Sequence, residues 1–234
     1  MSNNPQRRFC LKVWGALAAF NRPELKVERF SYDVITPSAA RGIFTAIFWK
    51  PAIRWHIRKI EVLNPIRTIS IRKNEVAALA SPGKSEVFIE ENRQQKSGVY
   101  LRDVAYRIHA DMEYLPPGQR INDKPNPNPE KGPETPVKYF AMFERRASKG
   151  QTFHNPSFGT RECPAFFEFI PASKLEQETA NHPPLSAEYD RDFGIMLFDM
   201  DFSNVDDPQA MFFHAKMKNG CVDVPDIDSP EVLK

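Results

Sequence analysis

Alternating apolar and polar residues predict several β-strands along the chain. Residues 9–13 alternate with the period of two that is typical of a half-buried strand, and Gly15 is expected to end it. The clearest alternation lies between residues 104 and 114, where every second side chain is apolar and the intervening positions include Arg107 and Asp111. We expect the apolar side of this strand to face a core and the polar side to face solvent.

The other predicted strands share a β-rich composition and turn residues at their ends. Asn64-Pro65 divides one β-rich stretch into two, and Asn219-Gly220 is a strong signal for a hairpin. Residues 171–190 are expected to be irregular. The predicted segments are two within 54–72 and one each at 165–170, 193–202, 211–217 and 221–224.

Two helices begin with the same signal, a threonine followed by proline. Thr36-Pro37 can cap a helix that Pro51 then stops, because the fixed φ of proline suits the first helical position. Thr135-Pro136 repeats this signal, and Gly150 can take the left-handed position at the end of the second helix. The order strand, helix, strand, strand over the first 72 residues is half of a ferredoxin-like unit.

Both predicted helices carry cations. On the first helix Arg41, Thr45 and Phe48 share a face that suits a polyanion with exposed bases, although an amphipathic helix with a solvated arginine is the alternative. On the second, Lys138, Arg145 and Lys149 lie within about 40° of one another. Within the predicted helix these cations have no i,i+4 acidic neighbours, so an external anion would relieve their repulsion.

Length and composition indicate one domain with a sizeable core, or one domain plus a small appendage, in 234 residues. No apolar run has the length of a membrane span, and the N-terminus is too polar for a secretory signal, which predicts a cytoplasmic protein. Seven prolines between Pro116 and Pro136 predict a mobile insertion. The three cysteines predict neither a disulfide framework nor a paired zinc motif.

Charge is distributed unevenly along the chain. Residues 1–75 hold 14 Lys or Arg against 5 Asp or Glu, whereas residues 175–234 hold 4 against 13. This asymmetry favours a basic face for nucleic acid and an acidic end that avoids phosphate or meets a basic partner.

The sequence contains no P-loop, dinucleotide fingerprint, zinc-protease helix or nucleophile elbow. Asp199 and Asp201 face the same way on a predicted strand and could hold a divalent metal, but no third ligand is evident, so no metal site is predicted. Metal-independent RNA cleavage stays possible, because the ribose 2′-hydroxyl attacks its own phosphate and needs only a base, an acid and a cation.

Five segments together resemble the Cas five family of CRISPR-associated proteins, in its I-C (Dvulg) subtype. The resemblance extends over nearly the whole chain, from Phe9 to the closing hairpin. The segments that carry it are VERFSYDVITPSAARGI, FWKPAIRW, IRKNEV, MFERRASKGQ and FHNPSFGTREC.

The resemblance implies an α+β fold: a ferredoxin-like (RRM-like, RAMP) domain at 1–170 with a β-hairpin excursion, and a small C-terminal antiparallel sheet at 171–234. It also implies an endoribonuclease without a cofactor that cleaves precursor crRNA at the base of the repeat hairpin. The protein would then stay on the 5′ handle of the guide RNA. Its implied partners are crRNA, the precursor repeat RNA, the backbone and large subunits of the type I-C interference complex, and target DNA indirectly.

The family's proposed cleavage residues are a tyrosine before Trp-Lys-Pro and a Lys-His pair early in the second helix. By resemblance these positions fall on Phe48, Lys138 and Tyr139, so only the lysine is retained. Phe48 cannot transfer a proton, and Tyr139 can act only if neighbours such as Lys138 lower its pKa. His154 is a possible substitute.

RNA contacts are expected from basic and aromatic side chains in or near the segments that carry the resemblance. They are Lys26, Arg29, Arg41, Trp49, Lys50, Arg58, Arg72, Arg145, Arg146, Lys149 and Arg161. Two other functions stay open: a catalytically weak subunit that only binds the crRNA handle, and a generic RRM-like module that stacks bases on exposed sheet aromatics.

Overall fold

The structure is a computed structural model of the 234-residue chain. It describes residues 4–25, 28–77, 88, 90, 92–120, 134–204 and 206–234. The predicted RNA contact Lys26 and most of the proline-rich insertion lie outside the described residues. On either side of that insertion, Arg120 and Glu134 form an ion pair at 2.6 Å.

The described residues form ten strands and three α-helices. In chain order they are β1 (Gln6–Ala18), β2 (Arg29–Phe30), α1 (Pro37–Ile47), β3 (Ile53–Val62), β4 (Thr68–Val76), β5 (Arg93–Tyr114), α2 (Pro136–Ser148), β6 (Phe166–Ile170), α3 (Leu175–Asn181), β7 (Arg191–Asp201), β8 (Gln209–Lys218), β9 (Cys221–Asp223) and β10 (Val232–Leu233).

A single sheet follows the order β10-β8-β9-β3-β5-β1-β6, with β2 and β4 paired to β5 and with β7 paired to β8. Its central strands and two helices follow the chain order β1, α1, β3, β5, α2, β6, and the strands lie in the order β6-β1-β5-β3. This is the ferredoxin-like βαββαβ arrangement, so the predicted fold class is confirmed. The hairpin excursion is formed by β4 and the first half of β5.

Helix starts follow the local signals. The Thr36 hydroxyl accepts a hydrogen bond from the backbone N–H of Ala39 at 3.2 Å, and the Thr135 hydroxyl accepts one from Lys138 at 3.4 Å. Gly150 has a φ of 63°, the left-handed conformation predicted after the second helix. The hairpin at Asn219-Gly220 is confirmed as well, with positive φ at both residues.

The core lies between the sheet and the first two helices, where aromatic rings dominate. The Phe143 ring of α2 stacks on Phe44 of α1 at 5.9 Å and meets Phe9 of β1 at 4.8 Å and Trp55 of β3 at 4.7 Å. Such ring pairs add stabilisation beyond the area that they bury. The two helices therefore pack directly on one another.

Two local predictions are wrong. Gly15 does not end β1, which continues to Ala18; a Cβ there would lie 2.8 Å from the carbonyl oxygen of Pro164, so this glycine allows a close approach. Residues 171–190 are not wholly irregular, because they contain α3. This helix has no side-chain cap, so it gave no start signal in the sequence.

The polar side of β5 is buried, and the expectation that it faces solvent is wrong. Arg107 is fully buried; its Nε donates to Glu61 Oε2 at 2.6 Å and its Nη1 to the carbonyl oxygen of His182 at 3.2 Å. His109 bonds the other oxygen of Glu61 at 2.9 Å. Since Lys12 of β1 also pairs with Glu178 of α3, this helix and the residue after it lie over the charged face of the sheet.

The C-terminal strands join the central sheet, because β9 pairs with β3 over Lys59 to Glu61. The division of the chain into two domains at residue 170 stays a prediction. None of the helices in the described ranges is long and apolar enough to cross a bilayer.

Candidate functional site

The first turn of α2 holds Lys138 and Tyr139. Tyr139 is buried, and its hydroxyl donates a hydrogen bond to Glu134 Oε1 at 2.9 Å. Burial and this contact with Glu134 raise the pKa of Tyr139 to about 12. The condition set for a catalytic Tyr139, a lowered pKa, is thus not met. Lys138 beside it is half-buried.

Phe48 lies next to Tyr139, with 6.3 Å between the ring centroids, so the structure brings these two family positions together. However, only 1% of Phe48 is exposed, and its carbonyl oxygen accepts a hydrogen bond from Trp55 Nε1. It cannot stack on a base. The helical-wheel placement of its side chain is wrong because α1 ends at Ile47, and Phe48 has the extended backbone of a helix C-cap.

His154 lies elsewhere. It is exposed and borders a depression of about 410 Å³ together with Ser38 and Gly42 of α1 and with Gly159. Neither Lys138 nor Tyr139 lines this depression. The structure therefore does not bring the proposed substitute histidine to the first turn of α2.

A cleft of about 290 Å³, called here the β3 cleft, brings several other predicted residues together. It lies between α1, the N-terminal half of β3, β7 and residues 224–227. It is open because β9 pairs only with Lys59 to Glu61, so within the described ranges no strand covers this edge of Ile53 to Arg58. The predicted RNA contacts that line it are Arg41, Trp49 and Arg58.

Two of these cations are held by carboxylates. Arg41 makes two hydrogen bonds with Asp199, at 2.6 and 2.8 Å, and Arg58 bonds both Asp111 and Asp226, at 2.9 and 2.7 Å. These paired guanidinium groups tie elements together, so they offer less charge to RNA than the sequence suggested. The alternative metal site is disfavoured too, because Asp199 is engaged by Arg41 and Asp201 accepts from the backbone N–H of Ser203.

The other predicted RNA contacts divide into engaged and exposed groups. Arg29 pairs with Glu75 at 3.1 Å, and Arg146 donates to the Ile47 carbonyl oxygen at 2.7 Å while its guanidinium lies over the Phe153 ring. The exposed members have no carboxylate partner among the described residues. They are Lys50, Arg72, Arg145, Lys149 and Arg161.

The family model of the CRISPR-associated protein Cas5, subtype d, matches residues 9–225. The chain belongs to the Cas5 family of CRISPR-associated proteins. The predicted family is therefore confirmed, and the match covers most of this chain.

Two curated relatives share this family and align along nearly their whole lengths. A CRISPR pre-crRNA endoribonuclease Cas5d of Mannheimia succiniciproducens is 43% identical over 245 residues, which cover 97% of this chain and 99% of the relative. A protein of the same name from Thermus thermophilus is 39% identical over 237 residues, covering 93% of this chain and 91% of the relative.

Solved structures share the fold at lower identity. A crystal structure of a CRISPR-associated protein matches with a TM-score of 0.69 and 23% identity over the full length of both chains. A functionally uncharacterized protein from Streptococcus mutans matches with a TM-score of 0.67 and 22% identity, over 99% of this chain and all of that one. These similarities support the Cas5 fold.

The sequence did not identify one polar pair in the β3 cleft. His56 lines the cleft, and its Nε2 lies 2.7 Å from Oε2 of Glu113, which is 1% exposed. Asn4 Nδ2 donates to the other carboxylate oxygen at 2.9 Å. His56 and Glu113 are 57 residues apart in the sequence, so no local pattern pairs them.

Proposed function

We propose that this Cas5 chain is a CRISPR pre-crRNA endoribonuclease of type I-C. The observation that carries the proposal is its alignment, over more than nine-tenths of its length, with two relatives that bear this name. The proposed reaction is cleavage at the base of the repeat hairpin, with the 2′-hydroxyl of the RNA as nucleophile, which needs no metal.

Exposed basic side chains support the binding of RNA. Arg145 projects from α2, and Lys149 is the residue that caps the C-terminal end of this helix; both are exposed. Helical geometry places Arg145 on the same side as the first-turn Lys138. Trp49, which is 53% exposed at the mouth of the β3 cleft, offers a surface on which a base can stack. We keep Lys138, the family lysine that this chain retains, as a proposed cation for the RNA backbone.

After cleavage we propose that the protein stays on the 5′ handle. Its proposed partners are then the backbone and large subunits of the type I-C interference complex, in the cytoplasm. The acidic region at residues 175–234 would contact protein rather than phosphate.

The test is incubation of purified protein with its cognate repeat RNA in EDTA. We expect one cut at the hairpin base that leaves a 2′,3′-cyclic phosphate and a 5′-hydroxyl. The matched substrate carries a single 2′-deoxynucleotide at the cut site and should bind equally but stay intact. Cutting of this deoxy substrate would contradict the proposed chemistry.

A second function, binding of the handle without efficient cleavage, is favoured by one observation. Phe48 has no ionisable group, and the pKa of Tyr139 is raised to about 12, so neither position supplies a base near neutral pH. Tight binding of the repeat RNA with no cut in the same assay would support this function over the first.

A further inference from the structure

His56 combines a position in the β3 cleft with a buried carboxylate partner. A carboxylate only accepts hydrogen bonds, so the contact with Glu113 places the proton of neutral imidazole on Nε2 and leaves the lone pair on Nδ1. Among the described residues Nδ1 has no hydrogen-bond partner. This is the arrangement in which a carboxylate orients a histidine for proton transfer.

The other four histidines lack this combination, and all of them lie in described ranges. His109 also meets a carboxylate, Glu61, but it is buried beneath α3. His182 and His214 pair with exposed or half-exposed acids outside the cleft, and His154 borders a different depression. His56 is therefore the histidine whose environment fits a catalytic role.

The surroundings of His56 suit a ribose-phosphate. Arg54 lies two residues before it on β3, lines the same cleft and has half of its side chain exposed. Trp49 and Phe202, which are 53% and 55% exposed, also line the cleft and can stack on bases. The register of β3 on β5 shifts between Ile57 and Lys59, and such irregularities are common beside active sites because they redirect side chains.

We propose that His56 is the general base of RNA cleavage and that Glu113 is its positioning residue. This inference rests on the proposed endoribonuclease function. Nδ1 of His56 takes the proton of the 2′-hydroxyl while the O2′–P bond forms. The P–O5′ bond breaks, and the leaving 5′-oxygen takes a proton from water, so that protons balance once the imidazolium releases its own to solvent.

Each neighbour then has a part in the step. Glu113 stabilises the imidazolium. Arg54 lies 3.8 Å from Glu113 Oε2, longer than the contacts that hold Arg41 and Arg58, and its half-exposed guanidinium would stabilise the charge that develops on the phosphorane. Lys138 does not line the β3 cleft and takes no part in this step. The role that the family pattern gives to a tyrosine at position 48 would be performed in this chain by His56 in the β3 cleft, because Phe48 is closed off in the core.

The test compares His56→Gln with wild type in single-turnover cleavage of the repeat RNA in EDTA. Glutamine keeps a donor for Glu113 but cannot transfer a proton, so folding should persist while the rate falls by about 10²-fold or more. Affinity for the 2′-deoxy substrate should stay within about two-fold, as expected for a group that acts only in the transition state. The matched control is His214→Gln, which alters another histidine bonded to a carboxylate, Asp192, outside the cleft.

Two further measurements distinguish a catalytic base from a residue with only a structural role. Imidazole added to His56→Ala should restore part of the lost rate. Wild-type cleavage should rise with pH as the base loses its proton and then level off, and this rise should be absent in His56→Gln. In Glu113→Gln the cleavage rate should fall, and the pH range over which the rate rises should move.

The charged groups around His56 are Glu113 and Asp111 on β5, Arg54 and Arg58 on β3, Arg8 on β1, and Asp226.

Cleavage by His56→Gln within about three-fold of wild type would overturn the inference and leave the proposed function standing. A loss of binding to the deoxy substrate equal to the loss of rate would also overturn it, because His56 would then only hold the RNA. If wild type itself fails to cut, the proposed function fails first and the inference fails with it.

Discussion

Arg41 of α1 and Asp199 of β7 form an ion pair with two hydrogen bonds, at 2.6 and 2.8 Å, that ties the first helix to the C-terminal strands. Both side chains are partly shielded from water, at 35% and 18% exposure. We expect Arg41→Ala and Asp199→Ala each to destabilise the protein, with a coupling energy of about 1 kcal/mol in a double-mutant cycle measured by urea unfolding. Arg145→Ala, an exposed arginine without such a partner among the described residues, is the control. If the losses of unfolding free energy in the two single variants add up to the loss in the double variant, the ion pair contributes nothing to stability.

The buried network around Glu61 makes stability depend on pH. Burial opposes ionisation of Glu61, but hydrogen bonds from His109 and Lys59 and the charge of Arg107 outweigh it and lower its pKa from 4.5 to about 2. The folded state therefore holds fewer protons than the unfolded chain, and stability should fall as pH drops from about 4.5 to 2, by an amount on the order of 2 kcal/mol.

Urea unfolding between pH 7 and pH 2.5 measures this effect. Glu61→Gln should be less stable at pH 7, by about 3 kcal/mol, since Arg107 is left buried without its partner charge, and should lose less on acidification. Glu231→Gln, at an exposed position, should follow wild type. An unchanged acid slope in Glu61→Gln would contradict the assignment.

Local signals in the sequence were enough for much of the fold. The caps at Thr36 and Thr135 and the Asn219-Gly220 hairpin depend on groups within four residues of one another, so pattern alone identified them. The alternation in β5 also gave the correct inward face, because a strand places every second side chain on one side.

The parts that could not be predicted depend on distant contacts. Glu61 and Arg107 are 46 residues apart, and the cover over them comes from α3, which has no capping signal. For the candidate site, the two family positions Phe48 and Tyr139 are neighbours in the structure, but their burial depends on how α1 packs against α2, which no local pattern shows. The pairing of His56 with Glu113 needed the register of β3 on β5.

Tyr139 should contribute little to proton transfer. Because its pKa is raised to about 12, removal of the hydroxyl in Tyr139→Phe should change the cleavage rate by less than about three-fold, and loss of the bond to Glu134 should cost about 1 kcal/mol of stability. Single-turnover cleavage and urea unfolding measure the two effects. A rate loss of about 10²-fold would instead make Tyr139 a catalytic group.

The exposed basic residues at the C-terminal end of α2, Arg145 in its last turn and the capping Lys149, should affect RNA affinity through charge. If Arg145 and Lys149 each contact a phosphate, the double alanine variant should bind repeat RNA more weakly and lower the slope of log affinity against log salt by about 1.4 to 1.8. Fluorescence anisotropy between about 50 and 300 mM salt gives the slope. Lys216→Ala, at an exposed position on β8, should leave it unchanged, and an unchanged slope in the double variant would remove α2 from the interface.

Gly159 holds the loop between α2 and β6 against the end of β1. Its φ is +83°, and a Cβ there would overlap the carbonyl oxygen of Ala19, so Gly159→Ala requires the backbone to move. Gly150→Ala is the matched control, because Gly150 also has a positive φ but open space around it. The control should cost about 1 kcal/mol from its φ alone, whereas Gly159→Ala should cost at least about twice as much in urea unfolding. Equal losses would mean that the close approach to Ala19 contributes nothing to stability.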